Sequence, residues 1–144
     1  MRGVPLRRTI RVALCAAAIS CVGLLSASSA LATSCPSGRF CVWKDVNFVT
    51  NGAGVGYFGF ATWSYQFSAH NYNGTSDQVH DDSSSWHNNG NTNYAKICTD
   101  IHYGGNCSQP KPPGDNQNNM TAGWDNETDS ACFLGGNPLH CLGP

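Results

Sequence analysis

From about residue 34 onward, apolar residues come in short bursts and never recur at helical spacing over a long window. Phe40–Trp43, Tyr57–Phe60, Trp63–Phe67, Tyr94–Cys98 and Cys132–Leu134 are rich in aromatic and β-branched residues. Such runs read as strands. Alternation within one of them puts Trp63, Tyr65 and Phe67 on one side of a strand. Between the runs lie turn clusters at Asn71–Thr75, His87–Asn93 and Gly104–Asn106. Pro110, Pro112 and Pro113, followed by Gly114, predict a stiff loop that continues as the polar tract Asp115–Asn119. The pattern predicts an all-β chain, a sandwich or a small barrel.

The first 32 residues follow a different rule. Arg2, Arg7, Arg8 and Arg11 precede an apolar run, Val12–Leu25, and small residues end at Ala30-Leu31-Ala32. This is the layout of a secretory signal, with an apolar run too short to span a bilayer. Two other export signals fit less well. Arg7-Arg8 is followed by Arg11 where a twin-arginine signal has an apolar residue, and Cys21 is a weaker cleavage position than Ala32. The expected domains are a signal over 1–32 and one small domain over 33–144. That domain carries four basic residues (Arg39, Lys44, Lys96, Lys111) and nine acidic ones. Its negative charge argues against nucleic acid, because an acidic chain repels phosphates. No membrane span is expected, and a monomer is.

Removal of the signal takes Cys15 and Cys21 with it and leaves Cys35, Cys41, Cys98, Cys107, Cys132 and Cys141. An even number in an exported chain predicts three disulfides. Spacing suggests closure in chain order (Cys35–Cys41, Cys98–Cys107, Cys132–Cys141), one of the 15 pairings that six cysteines allow. The spacings do not match the short paired knuckles of zinc sites. The domain has 14 Asn and 14 Gly, residues that favour turns and cost backbone entropy on ordering. Each disulfide offsets typically ~2–4 kcal/mol of such a cost.

The chain also repeats itself. Val42-Trp43-Lys44-Asp45-Val46-Asn47-Phe48 aligns with Ile97-Cys98-Thr99-Asp100-Ile101-His102-Tyr103 at an offset of 55. His80-Asp81-Asp82-Ser83-Ser84-Ser85 aligns with Asp125-Asn126-Glu127-Thr128-Asp129-Ser130 at an offset of 45, and Gly90 then falls on Gly135. Two units are predicted, about 35–90 and 94–136. The first carries some ten extra residues, placed in the aromatic stretch Tyr57–Gly74.

These blocks resemble the two Greek-key motifs of βγ-crystallin-like domains, in which a hairpin of form aromatic-x-x-x-x-aromatic-x-Gly folds over its sheet. The first unit offers Trp43, Phe48 and Thr50, and the second Cys98, Tyr103 and Gly105, so each departs from the pattern once. Gly52 is a candidate shifted turn in the first. The resemblance implies a disulfide-stapled, two-Greek-key β-sandwich in which Ser85 and Ser130 bond the hairpin backbone. A closer resemblance is to the secreted actinobacterial peptidase inhibitors of this fold, the family of the Streptomyces metalloproteinase inhibitor. It rests on Cys35-Pro36-Ser37-Gly38-Arg39-Phe40-Cys41-Val42-Trp43, on Ser84-Ser85-Trp86-His87-Asn88-Asn89-Gly90 and on Gly123-Trp124-Asp125-Asn126, and covers about Cys35 to Gly136.

The resemblance implies a secreted, non-enzymatic inhibitor whose partner is an extracellular peptidase, of the metallo class. A rigid loop would enter the peptidase cleft in extended form, the candidates being the Cys98–Cys107 loop and Pro110–Gly114. Catalytic motifs of the H-E-x-x-H and G-x-S-x-G type are absent from the sequence. Ser83–Ser85 beside His80 and Asp81 is mere adjacency, which is not triad geometry. His70, His80, His87, His102 and His140 are expected on exposed loops. No cofactor is required. βγ-crystallin-like domains often bind calcium through N/D-N/D-x-x-S/T-S, which points to Asp81 and Ser84 in the first unit and Asp125, Asn126 and Asp129 in the second. Calcium prefers six to eight hard oxygens, and His80 occupies the first ligand position of the first unit. Turn capping alone is the alternative role for these residues. Two other functions stay open: a calcium-binding or envelope module without inhibitory action, and a carbohydrate-binding or antimicrobial protein using exposed aromatics.

Overall fold

The computed structural model describes residues 34–50, 55–135 and 141–142. The expected signal, Gly52 and His140 lie outside the described residues. Seven strands form two antiparallel sheets: β1 (Arg39–Trp43), β2 (Tyr57–Phe60), β3 (Trp63–Ser64), β4 (Ser85–Asn89), β5 (Ala95–Cys98), β6 (Asn116–Gln117) and β7 (Ser130–Phe133). One sheet has the order β2-β1-β4-β6 and the other β3-β7-β5. Each sheet therefore borrows a strand from the opposite unit, β6 in the first and β3 in the second. No α-helix occurs among the described residues.

Strand registers reproduce the repeat residue by residue. Val42 faces Trp86 as Ile97 faces Ala131, and Trp43 faces Ser85 as Cys98 faces Ser130. These are the offsets 55 and 45. The exchanged strands match at 53: Asn116 faces His87 as Trp63 faces Cys132. Most of the first unit's extra length therefore falls after β3, between Ser64 and Ser85.

Each hairpin folds over its sheet by the same means. After β1 the turn Val46–Phe48 has Asn47 and Phe48 in the left-handed region (φ 59° and 57°), and after β5 His102 and Tyr103 repeat this (φ 54° and 61°). Such a conformation costs roughly 1–2 kcal/mol for a residue with a Cβ. A serine offsets the cost by closing the turn. Ser85 Oγ accepts from Phe48 N–H (3.3 Å) and donates to the Asp45 carbonyl (2.7 Å). Ser130 Oγ accepts from Tyr103 N–H (3.1 Å) and donates to the Asp100 carbonyl (2.6 Å). Gly105 (φ 64°) completes the second turn, where a Cβ would run into Thr99 and Asp100.

Both faces of β1 are covered. Phe40 and Val42 enter the core between the sheets, while Cys41 and Trp43 join Cys35 in a second cluster under the folded hairpin. Trp43 meets Phe48 edge-on, with centroids 5.1 Å apart. The second unit has Cys98 in place of this tryptophan, bridged to Cys107. The other disulfides are Cys35–Cys41 and Cys132–Cys141.

Three expectations change. Trp63–Phe67 is a strand only over Trp63–Ser64; Phe67 starts a 3-10 turn, its N–H held by the Asp129 carbonyl at 2.8 Å. Phe67 is accordingly in the core and Tyr65 is 40% exposed, so the two do not share a face. The expected turn cluster His87–Asn93 instead contributes to β4, which lies between β1 and β6. Polar Asn88 is buried there at little cost because it is saturated. Its Nδ2 donates to the carbonyls of Asn93 (3.1 Å) and Lys111 (2.8 Å), and its Oδ1 accepts from Gly90 N–H (3.0 Å). Likewise the polar tract Asp115–Asn119 contains β6.

Candidate functional site

The two loops that precede β4 and β7 meet across the interface of the units. Asp81 and Asn126, equivalent in the repeat, both adopt left-handed backbone (φ 47° and 56°), which turns the loops toward each other. Asn126 N–H donates to the Ser83 carbonyl at 3.1 Å. At the centre the hydroxyls of Ser83 and Thr128, also equivalent, bond each other and are fully buried.

This crossing regroups the candidate metal ligands. The sequence grouped them within each unit; the structure groups them between units. Asp129 of the second loop lies with His80 and Asp81 of the first, their ligand atoms all within 4.8 Å of one another. His80 Nδ1 is 2.7 Å from Asp129 Oδ1, and His80 Nε2 is 3.4 Å from Asp81 Oδ2. The Asp129 side chain is 6% exposed and that of His80 is 44% exposed. A buried carboxylate needs a partner, and the imidazole supplies it. The hydrogen bond to Asp129 raises the His80 pKa above its ordinary value, favouring the imidazolium. A nitrogen and a committed carboxylate suit calcium poorly, since calcium selects oxygen.

By the repeat, Asp125, Asn126 and Ser84 are the counterparts of His80, Asp81 and Asp129. Here Asp125 Oδ1 is buried without a hydrogen-bond partner. Ser84 is also buried. Asp125, Asn126 and Ser84 all carry side-chain oxygens, the donors calcium selects, whereas the His80 set includes an imidazole nitrogen. The hydroxyls of Ser83 and Ser85 are taken up by structural bonds.

The loop candidates for peptidase contact differ in freedom. In Pro110–Gly114, Lys111 exchanges both backbone bonds with Ala95 (2.8 Å each), and Gly114 N–H donates to the Asn88 carbonyl (2.7 Å). That segment is tied to both sheets. The Cys98–Cys107 loop is closed by its disulfide and carries Ile101, 40% exposed, at its tip. Its tip is the folded Ile101–Tyr103 turn, so the extended form expected of the loop is not found there. Only the return limb from Asn106 onward runs alongside β5, through bonds between Thr99 N–H and the Asn106 carbonyl (3.0 Å) and between Ser108 N–H and the Ile97 carbonyl (2.8 Å).

Of the aromatics that a carbohydrate-binding face would use, Tyr65 is exposed and Phe67 is in the core. Tyr65 stacks on His102 (5.3 Å) and packs near Trp63 (5.2 Å). His70, His80 and His102 are exposed as expected, and His87 on β4 is half-buried.

Comparison with known proteins places this geometry. None of the curated proteins matches the sequence significantly. Among solved structures, a domain from work on the evolution of the eye-lens βγ-crystallin domain fold superposes with a TM-score of 0.56 at 19% identity, over 71% of this chain and 91% of that one. A βγ-crystallin from Ciona intestinalis gives 0.51 at 19% identity, over 67% of this chain and 100% of that one. At such identity the likeness shows the fold, a βγ-crystallin sandwich. The model of peptidase inhibitor family I36 matches residues 28–109, more than half of the sequence, and the chain belongs to that family.

Proposed function

We propose that this I36 member is exported and inhibits an extracellular metallopeptidase, with the Cys98–Cys107 loop and its return limb as the contact segment. Inhibition of peptidases is the activity of the family to which the chain belongs, and it is a family of inhibitors, not of enzymes. That membership carries the proposal. The metallo class is supported by the resemblance of Cys35–Trp43 and its companion motifs to the Streptomyces metalloproteinase inhibitor. Export is supported by the signal-like first 32 residues and by three disulfides. The choice of loop is supported by its disulfide closure and by the exposure of Ile101. A loop ordered in advance loses little entropy on binding.

The test is residual activity of a thermolysin-like and a subtilisin-like peptidase at rising inhibitor. The expected result is saturation near one inhibitor per enzyme for the thermolysin-like peptidase, weakened when the disulfides are reduced. Full activity of both at large molar excess excludes these targets. Inhibition of the subtilisin-like enzyme alone keeps the inhibitor and refutes the metallo class.

The orphaned Asp125 Oδ1 favours a second, compatible reading: one calcium ion held by Asp125, Asn126 and Ser84. Bound calcium would neutralise that carboxylate and brace the two loops. Millimolar calcium is expected to raise the melting temperature by mass action, and Asp125→Asn to abolish the rise. An unchanged melting temperature of the unsubstituted protein returns these residues to turn capping.

A further inference from the structure

The two ends of the sandwich are finished differently. At the first unit's end, Phe58 and Phe60 of β2 stand opposite Val42 and Phe40, and Phe67 closes the gap beside them. The equivalent places in the second unit follow from the pairing. Ser108 stands opposite Ile97, and Lys111 opposite Ala95. Met120 takes the place of Phe67, since Met120 N–H bonds the Ser84 carbonyl (2.9 Å) as Phe67 N–H bonds that of Asp129 (2.8 Å). Three phenylalanines are thus replaced by a serine, a lysine and a methionine. The missing volume appears as a cavity of about 310 Å³ bordered by Trp86, Ile97, Lys111, Met120 and Trp124.

The rim of this cavity is an unfinished sheet edge. Ser108 N–H faces β5, so the backbone groups of Cys107 and Gln109 face away from it. Among the described residues, the N–H and C=O of Cys107 and Gln109 have no partner. Gln109 is exposed and also lines the cavity. The limb has one more residue between Ser108 and Lys111 than β2 has between Phe58 and Phe60, a bulge of the kind that marks sheet edges. Lys111 holds its ammonium 5.3 Å from the Trp86 ring centroid and has no carboxylate partner among the described residues.

We propose that this mouth docks an extended peptide segment that pairs with the Cys107–Gln109 edge, lowers a bulky apolar side chain into the cavity and sets an acidic residue beside Lys111. Free edge groups call for a strand, since only backbone offers donors and acceptors at that spacing. Side chains of an added strand alternate, so one of each pair points into the mouth. The lone cation selects the charge. The proposal rests on the inhibitor reading for its physiological occupant, which is then a segment of the target peptidase. The edge directly continues the disulfide-closed loop.

The test is a titration of the ¹⁵N-labelled protein with the blocked peptide acetyl-TVFEVT-amide, against acetyl-TVAEVT-amide as control. The expected shifts are in the backbone amides of Cys107, Ser108, Gln109 and Lys111 and in the indole signals of Trp86 and Trp124. The alanine peptide should bind about tenfold more weakly, in line with loss of an apolar anchor. Lys111→Phe restores the closed pattern of the first unit, and Gln109→Pro removes one edge donor. Each should weaken peptide binding by about tenfold or more, with melting temperature reporting that the fold is kept. Absence of shifts at millimolar peptide, or shifts elsewhere, overturns the proposal, as does unchanged binding to both folded variants. Peptide shifts at the mouth together with no inhibition across a peptidase panel leave the docking site standing and remove the inhibitor reading.

Discussion

The first and second units share a hydrogen-bond plan and differ in how they are filled. Asn47 N–H bonds the Asn118 carbonyl and His102 N–H bonds that of Tyr65, both at 2.6 Å; Ser84 N–H bonds the Trp43 carbonyl (2.9 Å) as Asp129 N–H bonds that of Cys98 (3.0 Å). These bonds are backbone to backbone and indifferent to the side chains that carry them. Packing is not indifferent. The first unit closes its end with Phe58, Phe60 and Phe67, assisted by Tyr72, whose buried hydroxyl donates to the Asp82 carbonyl at 2.9 Å. Burial pushes that hydroxyl's pKa up. The second unit has Met120 and Trp124 there and keeps a cavity between them and Lys111. A fold fixed by main-chain bonds can therefore pack phenylalanine rings between the sheets at one end and leave a cavity in the same place at the other.

The largest expected effect tests this contrast directly. Phe67→Ala should cost ~3–5 kcal/mol in urea unfolding, the usual range for an enclosed phenylalanine. Met120→Ala, its equivalent beside the cavity, should cost roughly 2 kcal/mol, at the low end for a core methionine. Equal costs would mean that the second end is as closed as the first. Next come the two serines. Ser85→Ala and Ser130→Ala should each destabilise by about 1–3 kcal/mol, because each leaves a turn N–H and a carbonyl unpaired. A large difference between them would break the equivalence of the folded hairpins.

The smallest effect concerns the unequal loop sets. His80 has its folded pKa raised above 6.5 by Asp129. Its contribution to stability is therefore complete below the unfolded pKa and is lost as pH rises through the folded value. The melting temperature should fall between about pH 6 and pH 8, where histidine titrates, and His80→Asn should flatten that fall. A slope unchanged in the variant would assign it to another group.

Much of the fold is legible in the residues themselves. Tyr57–Phe60 is a strand to the residue, and the offsets 55 and 45 reappear as strand registers. The reason is that apolar runs and repeated Asp, aromatic and Ser positions are set by local geometry. What stays illegible is polar burial and crossing. His87–Asn93 looks like a turn because nothing in the string tells that Asn88 will find Asn93 and Lys111. Strand exchange is equally hidden, so β6 looked like loop. For the same reason Asp129 was grouped with Asp125 and Asn126, while in the structure it pairs with His80. The cavity was invisible because it is a difference between units, visible only once Ser108, Lys111 and Met120 are matched to Phe58, Phe60 and Phe67.

The contact between Ser83 and Thr128 has a consequence of another kind. These residues occupy the same place in their units, so whatever stands there meets its own counterpart. Two carboxylates or two ammonium groups in such a place would repel. A hydroxyl gives one hydrogen bond and takes another, so it is complementary to a copy of itself. A single unit bearing Ser or Thr at this point could meet an identical unit there with no like charges in contact, one hydroxyl donating and the other accepting. The chemistry at the centre of this chain is thus of a kind that two separate, identical halves could share.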